Sequence, residues 1–296
     1  MSFLDRIREA NRCDPAGFRP LRIGGRRLGF VRHELAGTLR RWPAVFRVGE
    51  TAVTLAPALD DPATPETERT AAVAGVLDEL RAAGRLGGHW WNEPYAVNAR
   101  FGEPPVLRIE RAAVQPFGIC GYGVHVNGYV RRVDGLHLWL GRRARDKPTA
   151  PGRLDQMVAG GQPAGLGLRE NVVKECAEEA AVPESLARRA RAVGTVTYCL
   201  ETAAGLRPDV LFNFDLELPP DFEPVNTDGE VEAFHLWPVA QVLETVRDGT
   251  EFKFNCALVV IDFLIRHGLI DPERPDYVEL VEGLRQRERG LARLPG

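Results

Sequence analysis

Residues 160–182 read GGQPAGLGLRENVVKECAEEAAV. A loop of glycines and one proline runs into a helix expected over residues 168–181. At about 100° per residue, with Val172 at zero, Val173, Cys176, Ala177 and Ala180 fall near 100°, 40°, 140° and 80°, one apolar stripe. Glu175, Glu178 and Glu179 fall near 300°, 240° and 340°, a separate arc about 100° wide. Three carboxylates therefore project from adjacent turns of one face. Like charges at such spacings repel by roughly 0.2–0.5 kcal/mol per pair. Lys174, four residues before Glu178, offers some relief, and a hard divalent cation would offer more. An isolated E-x-x-E-E reads as a solvated acidic face. The glycine loop before it and the strand after it tip the balance towards a metal site.

Strands surround this segment. Residues 121–130 alternate, with Val124 and Val126 on one face and His125, Asn127 and Tyr129 on the other. Residues 133–140 pair with them across a turn at Asp134-Gly135. A strand at 193–200 and a clearly alternating one at 210–218 follow the helix. Two helices close the chain, 254–267 (apolar throughout, hence buried) and 276–294 (charged, hence exposed). Upstream, Phe3, Ile7 and Ala10 recur at helical spacing, and strands 21–23 and 28–31 flank a Gly24-Gly25 turn. A further helix opens at Thr64-Pro65, with Thr64 as N-cap, and runs to Gly84 before strands 95–98 and 106–109. Gln115-Pro116-Phe117-Gly118 reads as a boundary. The expectation is a small α+β N-terminal domain over residues 1–118 and an α/β domain with a mixed sheet over 119–296.

The chain has 296 residues, 44% hydrophobic and 27% charged, with a net charge of -3, which excludes global disorder and gives no basic excess for nucleic acid. Five scattered cysteines without a C-x-x-C pair exclude a disulfide framework and a zinc site. Asp5, Arg6 and Arg8 interrupt any leader-like apolar run, and residues 255–270 contain Asp262, Arg266 and His267, too charged to span a membrane. A cytoplasmic protein is the expectation. Lysine occurs only at 147, 174 and 253, in an otherwise arginine-based chain.

The segment resembles the Nudix box, G-x5-E-x7-R-E-U-x-E-E-x-G-U, where U is a bulky apolar residue. Gly160 takes the first place, Lys174 to Glu179 the R-E-U-x-E-E core and Val182 the last. Leu166 stands where the first glutamate belongs, Lys174 replaces arginine, Cys176 a bulkier residue and Ala181 glycine. Glu170 either supplies the missing outer carboxylate or simply closes the helix start. Further strings, YGVHVNGYV, LDQMVAGGQPAG, DVLFNFDLELP, DGEVEAFHLWPV and NCALVVIDFLIRHGLI, are similar to the Nudix domain of thiamine-pyrophosphokinase-related proteins. In that group an N-terminal domain precedes the Nudix domain and the first glutamate is likewise missing.

The resemblance implies a Nudix α/β/α sandwich. It also implies a Mg2+-dependent phosphatase, with Mn2+ as the alternative ion, acting on thiamine diphosphate and preferentially on its oxo and oxy analogues. Glu175, Glu178, Glu179 and the Gly160 carbonyl are the implied metal ligands. Glu230 and Glu232 are the candidates for an added general base, with Glu232 preferred and a solvated loop charge equally consistent. For substrate contact the candidates are Lys147, Arg142, His125 and Asn127, although a solvated basic run at Arg142, Arg143 and Arg145 and a satisfied sheet histidine are the blander readings. Trp90 and Trp91 are expected to be packed rather than ligand-facing. The partner is a small diphosphate, with no nucleic acid and no membrane. Competing readings are a nucleoside- or sugar-diphosphate hydrolase, an isomerase for which Cys120, Cys176 and Cys199 lack context, and a non-catalytic binding module.

Overall fold

The computed structural model describes residues 2–147 and 149–286. Its elements in chain order begin with α1 (Phe3–Ala10), β1 (Phe18–Ile23), β2 (Arg26–Arg32), α2 (His33–Leu39), β3 (Phe46–Val48), β4 (Val53–Leu55), α3 (Pro57–Asp60) and α4 (Glu66–Ala82). They continue with β5 (Pro94–Val97), β6 (Leu107–Glu110), α5 (Arg111–Val114), β7 (Tyr122–Arg132), β8 (Gly135–Arg143), β9 (Leu154–Gln156), β10 (Val158–Gly161) and α6 (Leu168–Ala180). The last third holds α7 (Glu184–Ala187), β11 (Arg191–Thr197), β12 (Leu200–Thr202), β13 (Gly205–Arg207), β14 (Val210–Glu217), β15 (Val231–Pro238), α8 (Val239–Asp248), α9 (Phe254–Arg266) and α10 (Tyr277–Gly283).

The central sheet runs β11-β14-β7-β8-β15, with β10 added to the first half of β7 and β9 to β8. It is mixed, because β14 and β7 are parallel while β11, β8, β10 and β15 pair antiparallel to their neighbours. The alternation of β7 decides what covers each face. Val124 and Val126 enter a core with Val172, Cys176 and Ala180 of α6, whereas Tyr129 enters another with Leu258, Val259 and Phe263 of α9. The sheet is thus a sandwich between α6 and α9, an α/β architecture as expected. A separate four-stranded sheet, β2-β1-β4-β3, forms upstream, and its core takes Val73, Val76, Leu77 and Leu80 from α4. Phe117 and Ile119 belong to that upstream core. By contrast, α1 leaves it and buries Phe3, Leu4 and Ile7 in the core around α9.

Several local expectations shift. The β7–β8 hairpin turns at Val133-Asp134, since Arg132 pairs with Gly135; Val133 is exposed and Gly135 takes φ 120°. The first helical residue of α4 is Glu66, with Pro65 in the cap position and no side-chain cap. The strand expected at 193–200 is β11, two residues earlier, followed by the short β12. Of the helix expected at 276–294, the described part is α10, and residues 287–294 lie outside the described residues. No helix among the described residues is long and apolar enough to cross a membrane.

Candidate active site

Helix α6 is stapled to β10. Asn171 Nδ2 donates to the Gly161 carbonyl at 2.8 Å, and one turn from the other end Glu179 Oε2 accepts the Ala159 N–H at 2.8 Å. Glu175, between them, lies against Gly160 so closely that a Cβ at residue 160 would overlap its carboxylate. Glycine there is a packing requirement of the acid. Lys174 Nζ sits 3.2 Å from Glu175 Oε1 and 2.6 Å from Glu178 Oε2, so one ammonium holds two carboxylates in place. Glu170 is committed to the helix start, its Oε2 accepting the Gly167 N–H at 3.0 Å, rather than turned to the other carboxylates.

The buried side of α6 differs from the stripe drawn on the sequence. Asn171, Val172, Glu175, Cys176, Glu179 and Ala180 are buried, while Ala177 and Glu178 are exposed. The packed face is rotated by roughly 80° towards the acids. Burial raises the pKa of Glu175, partly offset by Lys174. It raises that of Glu179 well above the usual carboxylate range, the Ala159 N–H offsetting only part. Two desolvated acids, Glu175 and Glu179, and the half-exposed Glu178, which shares Lys174 with Glu175, offer hard oxygens of the kind a divalent cation takes. Cys176 is pushed up to about 12 by burial, which makes its thiol a poor nucleophile.

On the other side of β10 opens a cleft of about 760 Å³, floored by Gly123, His125, Gly160 and Gly161. Its remaining walls include Trp91, Tyr95 and Arg111 from the upstream segment and Arg207 and Lys253 from the far side. Arg32 and Arg85 also line it, against the acids Glu34 and Asp209, so the lining carries a cationic excess. Tyr95 reaches over the floor so far that a Cβ at Gly161 would overlap its hydroxyl. His125 is buried, its Nδ1 2.7 Å from Gln156 Oε1, and burial drops its pKa to about 4, leaving a neutral imidazole. His125, Asp155 and Cys256 bring potential metal-ligating atoms within 4.8 Å of one another. Asp155, however, already holds Arg143 at 2.9 Å and Lys253 at 3.1 Å and accepts the Cys256 thiol at 2.6 Å. A cation there would have to displace two others.

The residues singled out in the sequence part company in space. Gly160 and His125 line the cleft, and Glu175 lies immediately behind Gly160. Lys147 pairs with Glu230 at 2.6 Å and stands 5.9 Å from the Trp91 ring. Glu232 faces Arg145 at 3.5 Å in an exposed pair. Arg142 turns away, donating to the Gly152 carbonyl at 2.9 Å with Glu251 at 3.6 Å. Asn127 is farther along the same strand face as His125, and its amide donates to Asp215 Oδ1 at 3.0 Å, beside Arg266. Lys147, Arg142 and Asn127 are all outside the lining of the cleft, which of the substrate-contact candidates holds His125. The two tryptophans also diverge. Trp90 packs against the upstream core beneath Arg81, as expected, whereas Trp91 faces the cleft under Arg111. Arg111, Tyr95 and Glu93 carry no sequence signal, because they come from strand ends without a motif. Lys253 had one, as the third of the rare lysines.

Comparison with known proteins matches this geometry. A family model described as a domain of unknown function, DUF4743, matches residues 2–121. The chain is 46% identical over 287 residues to Nudix hydrolase 24, chloroplastic, of Arabidopsis thaliana, covering 96% of this chain and 77% of that protein. It is 43% identical over 297 residues to Nudix hydrolase 20, chloroplastic, of the same plant, covering 97% and 78%. Among solved structures, DR0079 from Deinococcus radiodurans aligns over 57% of this chain and 97% of its own, with 21% identity and a TM-score of 0.44. Those names correct the expectation of a cytoplasmic protein: both plant relatives are called chloroplastic. Identity at this level over nearly the whole chain places it in the Nudix hydrolase family.

Proposed function

We propose that this Nudix hydrolase removes the terminal phosphate of thiamine diphosphate and, preferentially, of its oxo and oxy analogues, with Mg2+ or, as the alternative, Mn2+. The observation that carries the reading is Glu175 pressed on Gly160 behind the floor of a cation-lined cleft, with Glu178 tied beside it through Lys174 and Glu179 held on the Ala159 N–H. Glu175, Glu178, Glu179 and the Gly160 carbonyl would hold the ion. Bound there, a divalent cation supplies neutralisation of phosphoryl charge and activation of water. Lys174 orients Glu175 and Glu178, a task its point charge performs without the planar fork of arginine. A water oxygen attacks the terminal phosphorus, the bond to the bridging oxygen breaks, and monophosphate and phosphate leave.

The proton goes to a loop glutamate. Glu230 is favoured over Glu232, because its charge bears on Glu179 while Glu232 faces the exposed Arg145. The neutral His125 and Lys147 remain candidates for contact with substrate at the cleft wall and rim, whereas the contacts of Arg142 and Asn127 speak against them. Two units, residues 1–118 and 119–296, hold the four-stranded and the seven-stranded sheet respectively, with α1 crossing into the downstream core, and the cleft takes lining from both.

The thiamine assignment rests on the quoted strings, and the cleft's charge supports the preference within it. A thiazolium cation would meet further cations, and burying an unpaired charge costs several kcal/mol. The oxo analogue, whose thiazolone ring is neutral, avoids this cost, whereas the oxy analogue keeps the thiazolium. The test is kcat/KM for thiamine diphosphate, its oxo and oxy analogues, nucleoside diphosphates, ADP-ribose and NADH. The expected order puts the uncharged oxo analogue first, by about tenfold, or 1.4 kcal/mol, over the nucleotides. A nucleotide or ADP-ribose ahead by that margin ends the thiamine reading.

A further inference from the structure

We propose that Arg111, from the upstream segment, is the phosphate-binding residue of the cleft, and that Trp91 beneath it is the stacking surface for an aromatic organic group on the same diphosphate. The proposal rests on the diphosphate-hydrolase reading and adds who grips the anion. Arg111 opens α5 directly after β6, and the preceding Glu110 accepts the N–H groups of Trp91 at 2.8 Å and Glu93 at 3.1 Å. The turn that carries the indole is therefore tied to the strand that carries the guanidinium. Arg111 Nη1 donates to Glu93 Oε2 at 2.8 Å, and its Cζ lies 4.2 Å from the Trp91 ring centroid. On the opposite side the same carbon stands 3.6 Å from where a Cβ on Gly161 would be. A long side chain is thus held in one orientation by an acid, an aromatic face and a glycine strand.

That orientation puts the guanidinium next to Gly161, one residue from the glycine against which Glu175 packs. A phosphoryl group seated here would face a planar fork of N–H donors across the glycine strand behind which Glu175 packs, the one α6 acid whose charge bears on Arg111. Arginine suits this place because its fork matches two phosphate oxygens, and one nitrogen committed to Glu93 leaves the remaining edge to an anion. The guanidinium keeps its charge against desolvation, helped by the charge and hydrogen bond of Glu93. Of the other cations of the cleft, Arg85 is exposed at 3.7 Å from Glu34, Arg32 is paired with Glu201 at 2.8 Å, and two are committed deeper in the fold. Arg207 grips Asp209 through Nε at 3.1 Å and Nη2 at 2.9 Å, and Lys253 is paired with Asp155 at 3.1 Å. Trp91 shares the wall with Tyr95 and with His89, whose ring lies 4.5 Å from its own, so an aromatic ring beyond the phosphates meets aromatic side chains alongside the cations of the lining.

The experiment uses methylenediphosphonate, a non-hydrolysable diphosphate without an organic group, titrated calorimetrically into the full chain with Mg2+. Arg111→Gln should weaken its binding about tenfold or more, and Arg111→Lys several-fold, since the charge stays and the fork is lost. Mg2+ affinity measured without the diphosphonate should stay within about twofold, a readout that a merely structural loss would move. Trp91→Leu should leave methylenediphosphonate binding nearly unchanged while raising KM for the aromatic diphosphate substrate about tenfold with kcat little altered. If Arg111→Gln does not fold, Arg111→Lys decides alone. Binding of the diphosphonate at the wild-type level by the folded variants overturns the phosphate role, and an unchanged KM in Trp91→Leu overturns the stacking role. Because the probe has no ring, failure of the thiamine reading in the substrate panel leaves this outcome independent.

Discussion

Glu178 and Glu179 are neighbours in sequence with opposite environments, which lets function and stability be separated. Glu178 is exposed and shares Lys174, so Glu178→Gln should change stability by no more than about 0.5 kcal/mol. Glu179 is buried with its pKa raised, so a neutral glutamine, which still accepts the Ala159 N–H, should leave the metal-free melting temperature unchanged or higher. Both substitutions should lower kcat by about a hundredfold or more at saturating Mg2+. Near-wild-type turnover in either would remove that residue from the metal set. His125 makes a second prediction. Its folded imidazole resists protonation until about pH 4, whereas the unfolded one takes up a proton near 6.5. Stability present above pH 6.5 is therefore lost as the pH falls towards 4, by roughly 3 kcal/mol. Urea unfolding at pH 7 and pH 4.5 should show this loss, and His125→Gln should lack most of it. The identities of the acids were legible from their spacing. Their burial was not, because it depends on how far α6 is rolled onto the sheet.

At the scale of elements, α6 ends where the box places glycine and this chain has Ala181, held at φ 50° in the left-handed region. An L residue is strained there, while glycine is not. Ala181→Gly should thus stabilise the protein by about 1 kcal/mol, seen as a higher denaturation midpoint with an unchanged slope. A loss of stability would mean that packing of the alanine methyl outweighs the backbone strain. Long periodic elements were readable: the alternation of β14, the apolar span of α9 and the loop-to-helix passage into α6 all appear near their expected places. Turns were read less well. The β7–β8 hairpin turns one residue early because cross-strand register, not the Asp-Gly pair, determines which residues leave the ladder.

For the whole molecule, the first helix is the informative case. Phe3 and Ile7 are each 2% exposed, yet they pack on α9 and α10 rather than on the sheet that follows them in sequence. Phe3→Ala should cost about 3–5 kcal/mol and lower the melting temperature of the whole chain in one transition. A separate early transition confined to the upstream sheet would show that α1 does not tie the two ends. Sequence alone determined the chemistry available and its local framework: a glycine loop, a helix with three acids at fixed angles and a sheet of alternating strands. Those follow from backbone periodicity and from spacing along one helix, both local properties of the chain. Only the tertiary structure decided that α1 joins the α9 core, that Arg142 and Asn127 lie outside the cleft, and that Trp91, Tyr95 and Arg111 line it. These positions depend on contacts between segments far apart in sequence, where loop lengths and packing, not periodicity, determine what meets what.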